Sequence, residues 1–504
     1  MSKTQISERL KAITELSPSA TALYFGSSEY GWDDLRALAD RLGETLHEAG
    51  LDETCPVGWI ARNDPNVVAG ALGLLISGNC ISPINPHVAA AKLASDIDRF
   101  AHAAVIGAAE DWTDANIAAA EKQGILGLSL HLGSGDSVRK VTGSFGEVRE
   151  HHARTDPDIV LERISSGTTG DPKRFLVRAD TFVKALGFAA TSEPGGAAGD
   201  GLALKRSPAL VFNTFAHSAG LWGVATALYH ARPIVLHDRF TVDGWAQSVR
   251  RFRPKMLSLM PAMIAMVMEE DVPVELFAGV IAVRTGSAPL PPATQRAFEE
   301  KYGVPVLIDY GASEFMGGIA SWSLEDRKRF GETKRGSVGR LRPDIEARIV
   351  NAETGEAVVA GEQGVLHLKT PRHGPDWVVT TDLASIDEDG FLSLHGRADE
   401  AINRGGFKIL PEEVADLLRD HPAIREVAVL GVRNERLGQV PVAFVELVDG
   451  ENPSPDELVE FARDRMPPYF VPVAFEFVRE MPRTNSLKIS RPALREQFAG
   501  KYVF

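Results

Sequence analysis

The run Ile164-Ser165-Ser166-Gly167-Thr168-Thr169-Gly170-Asp171-Pro172-Lys173 gathers in ten residues what a polyphosphate needs from a protein. Gly167 and Gly170 let backbone approach closely, four hydroxyls can donate hydrogen bonds, and Lys173 adds positive charge. A plain Ser/Thr/Gly-rich surface loop is the competing reading. The spacing is not that of the common nucleotide loop. Pro172 precedes Lys173 where glycine would stand, and Arg174 follows where Ser or Thr would stand, so a standard P-loop NTPase is disfavoured.

On both sides of this run the pattern alternates between helix and strand. Asp34–Glu48 and Val67–Leu75 carry apolar residues at helical spacing, whereas Pro56–Ile60 and Cys80–Ile84 read as short strands. Further on, Pro233–Leu236 and Val304–Ile308 read as strands entering ligand-binding turns. Such alternation implies parallel sheet covered by helices. From about Gly336 the texture changes to paired strands, as in Ala347–Val350 and Gly364–Leu368, which predicts a small β-rich subdomain. After Asp399 a tail of about a hundred residues has a helix near Pro411–Asp420, strands near Val427–Val432 and Val442–Leu447, and a helix near Asp456–Arg465.

Composition narrows the function. A chain of 504 residues exceeds one ordinary core, so two or more domains are expected. The net charge of −14 argues against nucleic-acid partners, whose phosphates demand many Lys and Arg contacts. Only Cys55 and Cys80 are present, without metal-ligand spacing, which excludes a disulfide framework and suits a reducing compartment. The polar start at Met1–Ile6 lacks the apolar core of a signal peptide, and Val67–Ile76 is too short to span a bilayer. A cytoplasmic address without membrane insertion is therefore expected.

The Ile164–Lys173 run resembles the phosphate-binding signature of the acyl-adenylating superfamily, which comprises acyl-CoA synthetases, peptide-synthetase adenylation domains and luciferases. Other segments resemble that superfamily in the same order over nearly the whole chain. Leu74–Pro86 is similar to its early helix–strand element, Phe215–Gly220 to its aromatic–His acyl-pocket segment, and Gly286-Ser287-Ala288-Pro289-Leu290 to its adenine-side turn. Asp309-Tyr310-Gly311-Ala312-Ser313-Glu314 is similar to its adenine and Mg²⁺ motif, and Thr381-Asp382 with Gly396-Arg397-Ala398-Asp399 to its ribose and hinge motifs. Arg404–Lys408 with Pro411–Val414 resembles the tail-domain loop, and Pro482–Lys488 the terminal lysine motif.

The resemblance implies a large N-terminal α/β region (residues 1–397) holding acyl and ATP sites, with a smaller, mobile C-terminal α/β domain (398–504) hinged at Asp399. The active site is expected between them. The nucleotide would contact Ser165, Ser166, Gly167, Thr168, Thr169, Gly170, Lys173, Ser287, Ala288, Pro289, Asp309, Tyr310, Gly311, Ser313, Asp382 and Arg397. In these roles Tyr310 stacks on adenine, and Asp382 with Arg397 binds ribose; a core aromatic and a plain ion pair are the open alternatives. Glu314 would hold Mg²⁺ as a hard oxygen ligand, or be a turn charge. His217 would lie beside the substrate carboxylate or gate a thiol tunnel, or be a satisfied buried histidine. Phe215, His217, Gly223, Gly311, Ala312, Met316 and Gly317 would surround an aromatic or medium-length hydrophobic acid. Lys488 would neutralise the adenylation transition state.

The implied reaction is that of an AMP-forming carboxylic acid–CoA ligase with ATP, Mg²⁺ and coenzyme A. Gly405, Gly406 and Phe407 would line the CoA channel, because Arg404–Ile409 resembles acyl-CoA ligases more than peptide-synthetase adenylation domains. Loading of a separate carrier protein is the alternative, and no carrier domain is expected after Phe504. A kinase, recognisable by ADP production, and a catalytically silent binding protein are the readings from other classes. Monomer and homodimer are both open. Three departures from the superfamily pattern are visible: Ser313 for threonine, Thr381 for glycine before Asp382, and Leu487 for glycine before Lys488.

Overall fold

The computed structural model describes every residue except 1, 144–148, 166–172, 192–201, 313, 314, 316, 372, 373, 375, 485 and 486; at 164, 165, 173, 188–191, 218 and 312 only the backbone is described. The chain forms two compact units, Met1–Ser258 with Met263–Val283, and Leu259–Ala262 with Arg284–Phe504.

In the first unit a seven-stranded sheet runs in the order Val138–Thr142, Leu126–Leu130, Ala104–Ala108, Pro56–Ile60, Cys80–Ile84, Ile159–Ser165, Lys173–Arg178. Its five inner strands are parallel and the two edges antiparallel. Pro56–Ile60, Ala104–Ala108 and Leu126–Leu130 are buried along their whole length, which is why they read as unbroken apolar runs. Helix Pro65–Ser77 is apolar on every face because it is buried almost throughout, packing against Trp32–Glu48. Its ends follow from local chemistry. The Asp64 carboxylate accepts from Asn66 N, Pro65 needs no amide donor in the first turn, and Gly78 takes the left-handed conformation (φ 80°) past the last turn. A second sheet joins Ala209–Val211, Ile234–Leu236, Thr21–Phe25 and Ser28–Gly31.

The second unit begins with antiparallel strands Val306–Ala312, Gly317–Ser321 and Arg340–Leu341. The expected β-rich subdomain follows as an antiparallel meander of Glu346–Val350, Gly364–Lys369, Val378–Ile386 and Leu392–Arg397. The tail has Ile424–Asn434 and Gly438–Leu447 as a long hairpin, with Ile402–Arg404 and Phe407–Ile409 on one side and Ala474–Val478 parallel to Gly438–Leu447. Helices Pro411–Arg419 and Pro455–Arg463 send Val414, Leu418, Leu458 and Ala462 into a core with Val427, Val429, Ala443 and Val445. This is the mixed α/β class that the sequence predicts. Both cysteines are free and buried. Among the described residues no helix is long and apolar enough to cross a membrane.

Candidate active site

The strands on either side of the expected phosphate segment, Ile159–Ser165 and Lys173–Arg178, pair antiparallel in the first unit. Ser165 pairs with Lys173 at the last rung, and Ile164 with Arg174 before it. Ser166, Gly167, Thr168, Thr169 and Gly170 lie outside the described residues, as do Ser313, Glu314 and Met316.

The expected acyl-pocket segment is held by a residue that sequence reading did not single out. Asn63 donates from Nδ2 to the carbonyls of Asn213 and His237 (3.1 Å each), while its Oδ1 accepts from Phe215 N (3.0 Å). One buried amide thus pins the backbone from Asn213 to Phe215, about 150 residues away in sequence. The local signal was a polar residue three positions past a buried strand. Phe215 is 0% exposed and stacks on Trp59 at 5.7 Å, so its ring belongs to the packed interior. His217 is half-buried and is the N-cap residue of helix Ser218–Tyr229. Gly220 is required in that first turn, because a Cβ would lie 2.2 Å from Thr214 O. Gly223 faces Val211 with space for a Cβ at 3.8 Å.

In the second unit the turn expected at the adenine side sits against the strand Val306–Ala312. A Cβ on Gly286 would stand 2.6 Å from Asp309 O, and Ser287 adopts φ 70°, a left-handed conformation that costs a non-glycine residue energy. Ala288 and Pro289 follow it. Arg284 pairs with both oxygens of Asp309 at 2.9 Å. Burial pulls the nearby Arg342 guanidinium below its ordinary pKa, with Asp309 opposing the fall and Arg284 adding to it. Asp309 thus stands between two arginines, Arg284 and Arg342. Gly311 is needed where the strands close, since a Cβ would meet Gly317 O at 2.5 Å.

Three predicted nucleotide residues come together. Tyr310 Oη donates a short hydrogen bond to Asp382 Oδ2. Asp382 stands directly opposite Arg397 on neighbouring strands, and its amide donates to Thr380 Oγ1 at 3.1 Å. Arg397 in turn makes a two-point contact with Asp399 (Nε–Oδ1 3.0 Å, Nη2–Oδ2 2.9 Å). That contact raises the arginine's pKa despite desolvation and holds the Asp399 carboxyl below the usual range. The predicted hinge residue is thus bonded to the predicted ribose residue. Arg491, unremarked in the sequence, bridges Glu400, next to Asp399, and Glu412 on helix Pro411–Arg419.

Lys488 sits on a tight turn. Thr484 N donates to Lys488 O at 2.7 Å, Lys488 N donates to Thr484 Oγ1 at 3.3 Å, and Leu487 takes φ 57°. The left-handed backbone that glycine would supply is kept although leucine stands there. Lys488 is exposed, yet desolvation by the protein around it lowers its ammonium pKa. At the tail loop Gly405 and Gly406 have φ 59° and 93°, and exposed Phe407 stacks on Tyr469 at 4.4 Å. Arg404 ties this turn to the Tyr469 and Val471 carbonyls.

Residues 10–374 match the family model described as AMP-binding enzyme, and 413–488 match the AMP-binding enzyme C-terminal domain. The chain belongs to this family, and its relatives there are AMP-forming CoA ligases. It is 28% identical to indoleacetate–CoA ligase of Aromatoleum aromaticum over 99% of both chains. It is 30% identical to 2-succinylbenzoate–CoA ligase of Geobacillus kaustophilus, covering 67% of this chain and 69% of the relative. The fold is shared with ATP-bound MatB from Rhodopseudomonas palustris (TM-score 0.82, 20% identity, 99% of both chains). It is also shared with Bacillus subtilis o-succinylbenzoate CoA synthetase in complex with its acyl-adenylate (TM-score 0.77, 22% identity, 97% of both chains).

Proposed function

We propose that this CoA ligase activates an aromatic carboxylic acid, and that Tyr310, Asp382 and Arg397 seat the nucleotide while Lys488 serves adenylation. The carrying observation is the Tyr310–Asp382–Arg397–Asp399 chain of contacts, which joins adenine, ribose and hinge motifs in one unit. The acid's carboxylate oxygen attacks the α-phosphorus of ATP, the bond to the β-phosphate bridging oxygen breaks, and pyrophosphate leaves. Lys173 and the segment from Ser165 to Gly170 bind phosphates and His217 lies beside the carboxylate; Glu314 would hold the Mg²⁺ that arrives with ATP, which would offset phosphate charge. Residues 398–504 then turn about Asp399, which withdraws Lys488 and brings Gly405, Gly406 and Phe407 to the thiol path. The thiol sulfur of CoA attacks the acyl carbon, AMP departs, and the thiol proton passes to solvent.

The aromatic preference is supported by the ring-bearing acids in the names of the relatives. The cytoplasm, where ATP and CoA are both abundant, is the matching compartment. The test is a panel of aryl, medium-chain and short-chain acids with ATP and CoA, followed by chromatography of nucleotides and thioesters. AMP with an aryl-CoA product is expected. Stoichiometric ADP would overturn the adenylation chemistry, and turnover confined to aliphatic acids would overturn the substrate class.

A further inference from the structure

The hairpin that carries the phosphate segment contains a buried charge that the proposed chemistry does not use. Glu162 lies mid-strand in Ile159–Ser165, at a position where a parallel sheet covered on both faces ordinarily places an apolar side chain, and it is 1% exposed. Leu161 pairs with Ile81 and Ser82 pairs with Gly58, so Glu162, Ser82 and Gly58 share one face of the sheet. His102 is 0% exposed and lies over Gly58, where a Cβ would come within 2.9 Å of its Nδ1. Its Nε2 stands 3.9 Å from Glu162 Oε2. Among the described residues, Ser82 Oγ, both ring nitrogens of His102 and Glu162 Oε2 make no hydrogen bond. The other carboxylate oxygen, Oε1, accepts from Arg174 Nη1 at 2.5 Å.

A buried charge persists only where it is paired, and replacing such a pair by apolar residues is often neutral or stabilising. Stability alone therefore does not account for it. What the pair does geometrically is clear. Glu162 stands three residues before the stem end at Ser165, and Arg174 directly follows Lys173, so their contact bridges the two strands just below the segment. Burial, with Arg174 and His152 adding to it, pushes the His102 pKa down to about 3, so its ring is neutral and does not compete with Arg174 for the carboxylate charge.

We propose that Glu162, clamped by Arg174 and faced by His102 and Ser82, is a positioning residue for ATP that fixes the spacing of the backbone ends at Ser165 and Lys173. This rests on the reading of Ser165–Lys173 as the phosphate-binding segment. Glu162→Gln keeps the shape and removes the charge, and it is expected to raise KM for ATP about tenfold, as loss of a ground-state binding geometry does. KM for the acid, and the rate of thioester formation from supplied acyl-adenylate and CoA, should stay at wild-type values. A merely structural role would lower the active fraction without moving KM for ATP. Arg174→Gln, at a half-exposed position, should give the same rise, and the double variant should be no worse than either single one; it also carries the test if Glu162→Gln does not fold. Lys173→Ala is the control on the underlying reading. If Lys173→Ala leaves ATP use unchanged, the phosphate-segment assignment fails. If it impairs ATP use while Glu162→Gln and Arg174→Gln leave KM for ATP at wild type, the positioning role is overturned.

Discussion

Tyr310→Phe separates two contributions of a single side chain. The substitution keeps the ring that would cover adenine and deletes only Oη, whose hydrogen is given to Asp382. A hydrogen bond to a charged acceptor contributes about 1.5–3 kcal/mol when well shielded. Tyr310 and Asp382 are half-buried, so solvent screening brings it down to about 1–1.5 kcal/mol. At roughly 1.4 kcal/mol per tenfold, ATP binding should weaken about five- to tenfold if that bond orients Asp382 for ribose. Asp382 keeps its opposite neighbour Arg397 and its amide bond to Thr380, so the strands should stay paired. Pyrophosphate release measured against ATP concentration, with acid and CoA saturating, should show KM raised by that factor and kcat nearly unchanged. Tyr310→Leu should lose more, because it also removes aromatic stacking, which is worth about 0.5–1.5 kcal/mol. A KM for Tyr310→Phe within twofold of wild type would refute the idea that this hydrogen bond prepares the ribose site.

Lys488→Ala should depress adenylation by about a hundredfold or more, the scale of losing a group aimed at transition-state charge, while conversion of supplied acyl-adenylate to thioester stays within a few-fold; both half-reactions can be followed on one preparation. Equal loss in both would show that the turn at Leu487 and Lys488 is structural. Gly406 has φ 93° but open space around its missing Cβ, so Gly406→Trp should cost about 1–2 kcal/mol of strain and still fold. Thioester formation should then fall more than adenylation, and parallel losses would contradict a CoA-channel role. His102 is neutral in the fold down to about pH 3, whereas an unfolded histidine titrates near 6.5. The unfolded chain therefore binds the extra proton between those values, so His102 makes stability rise with pH there by about 1.4 kcal/mol per unit. Urea midpoints at pH 5 and 7 should show a smaller difference for His102→Gln, and an unchanged difference would argue against a neutral buried ring.

Much of this protein was legible along the chain because the responsible forces are local. The strands Pro56–Ile60 and Cys80–Ile84, the Asp64-capped helix before Gly78, and the tail hairpin all follow from apolar spacing, caps and turn residues a few positions apart. The family motifs were equally legible, since each is a short run whose residue types suit a phosphate, a ribose or a lysine-bearing turn. Tertiary structure alone decided who meets whom. Tyr310 and Asp382 are 72 residues apart, and only the meeting of two strand ends makes them partners. Asn63 reaches Phe215 across 152 residues, and the same packing puts the Phe215 ring into the interior against Trp59, a location that the bare motif could not distinguish from a pocket wall. Glu162 stands in the apolar stretch Ile159–Ile164, and only the fold brings Arg174 and His102 to it. Leu487 shows the same rule in the backbone: its own preference is against φ 57°, and the bonds from Thr484 and Arg483 around the turn hold it there. Local preference is worth about a kilocalorie per residue, and side-chain charge, desolvation and turn closure outweigh it once the fold has brought distant groups into contact.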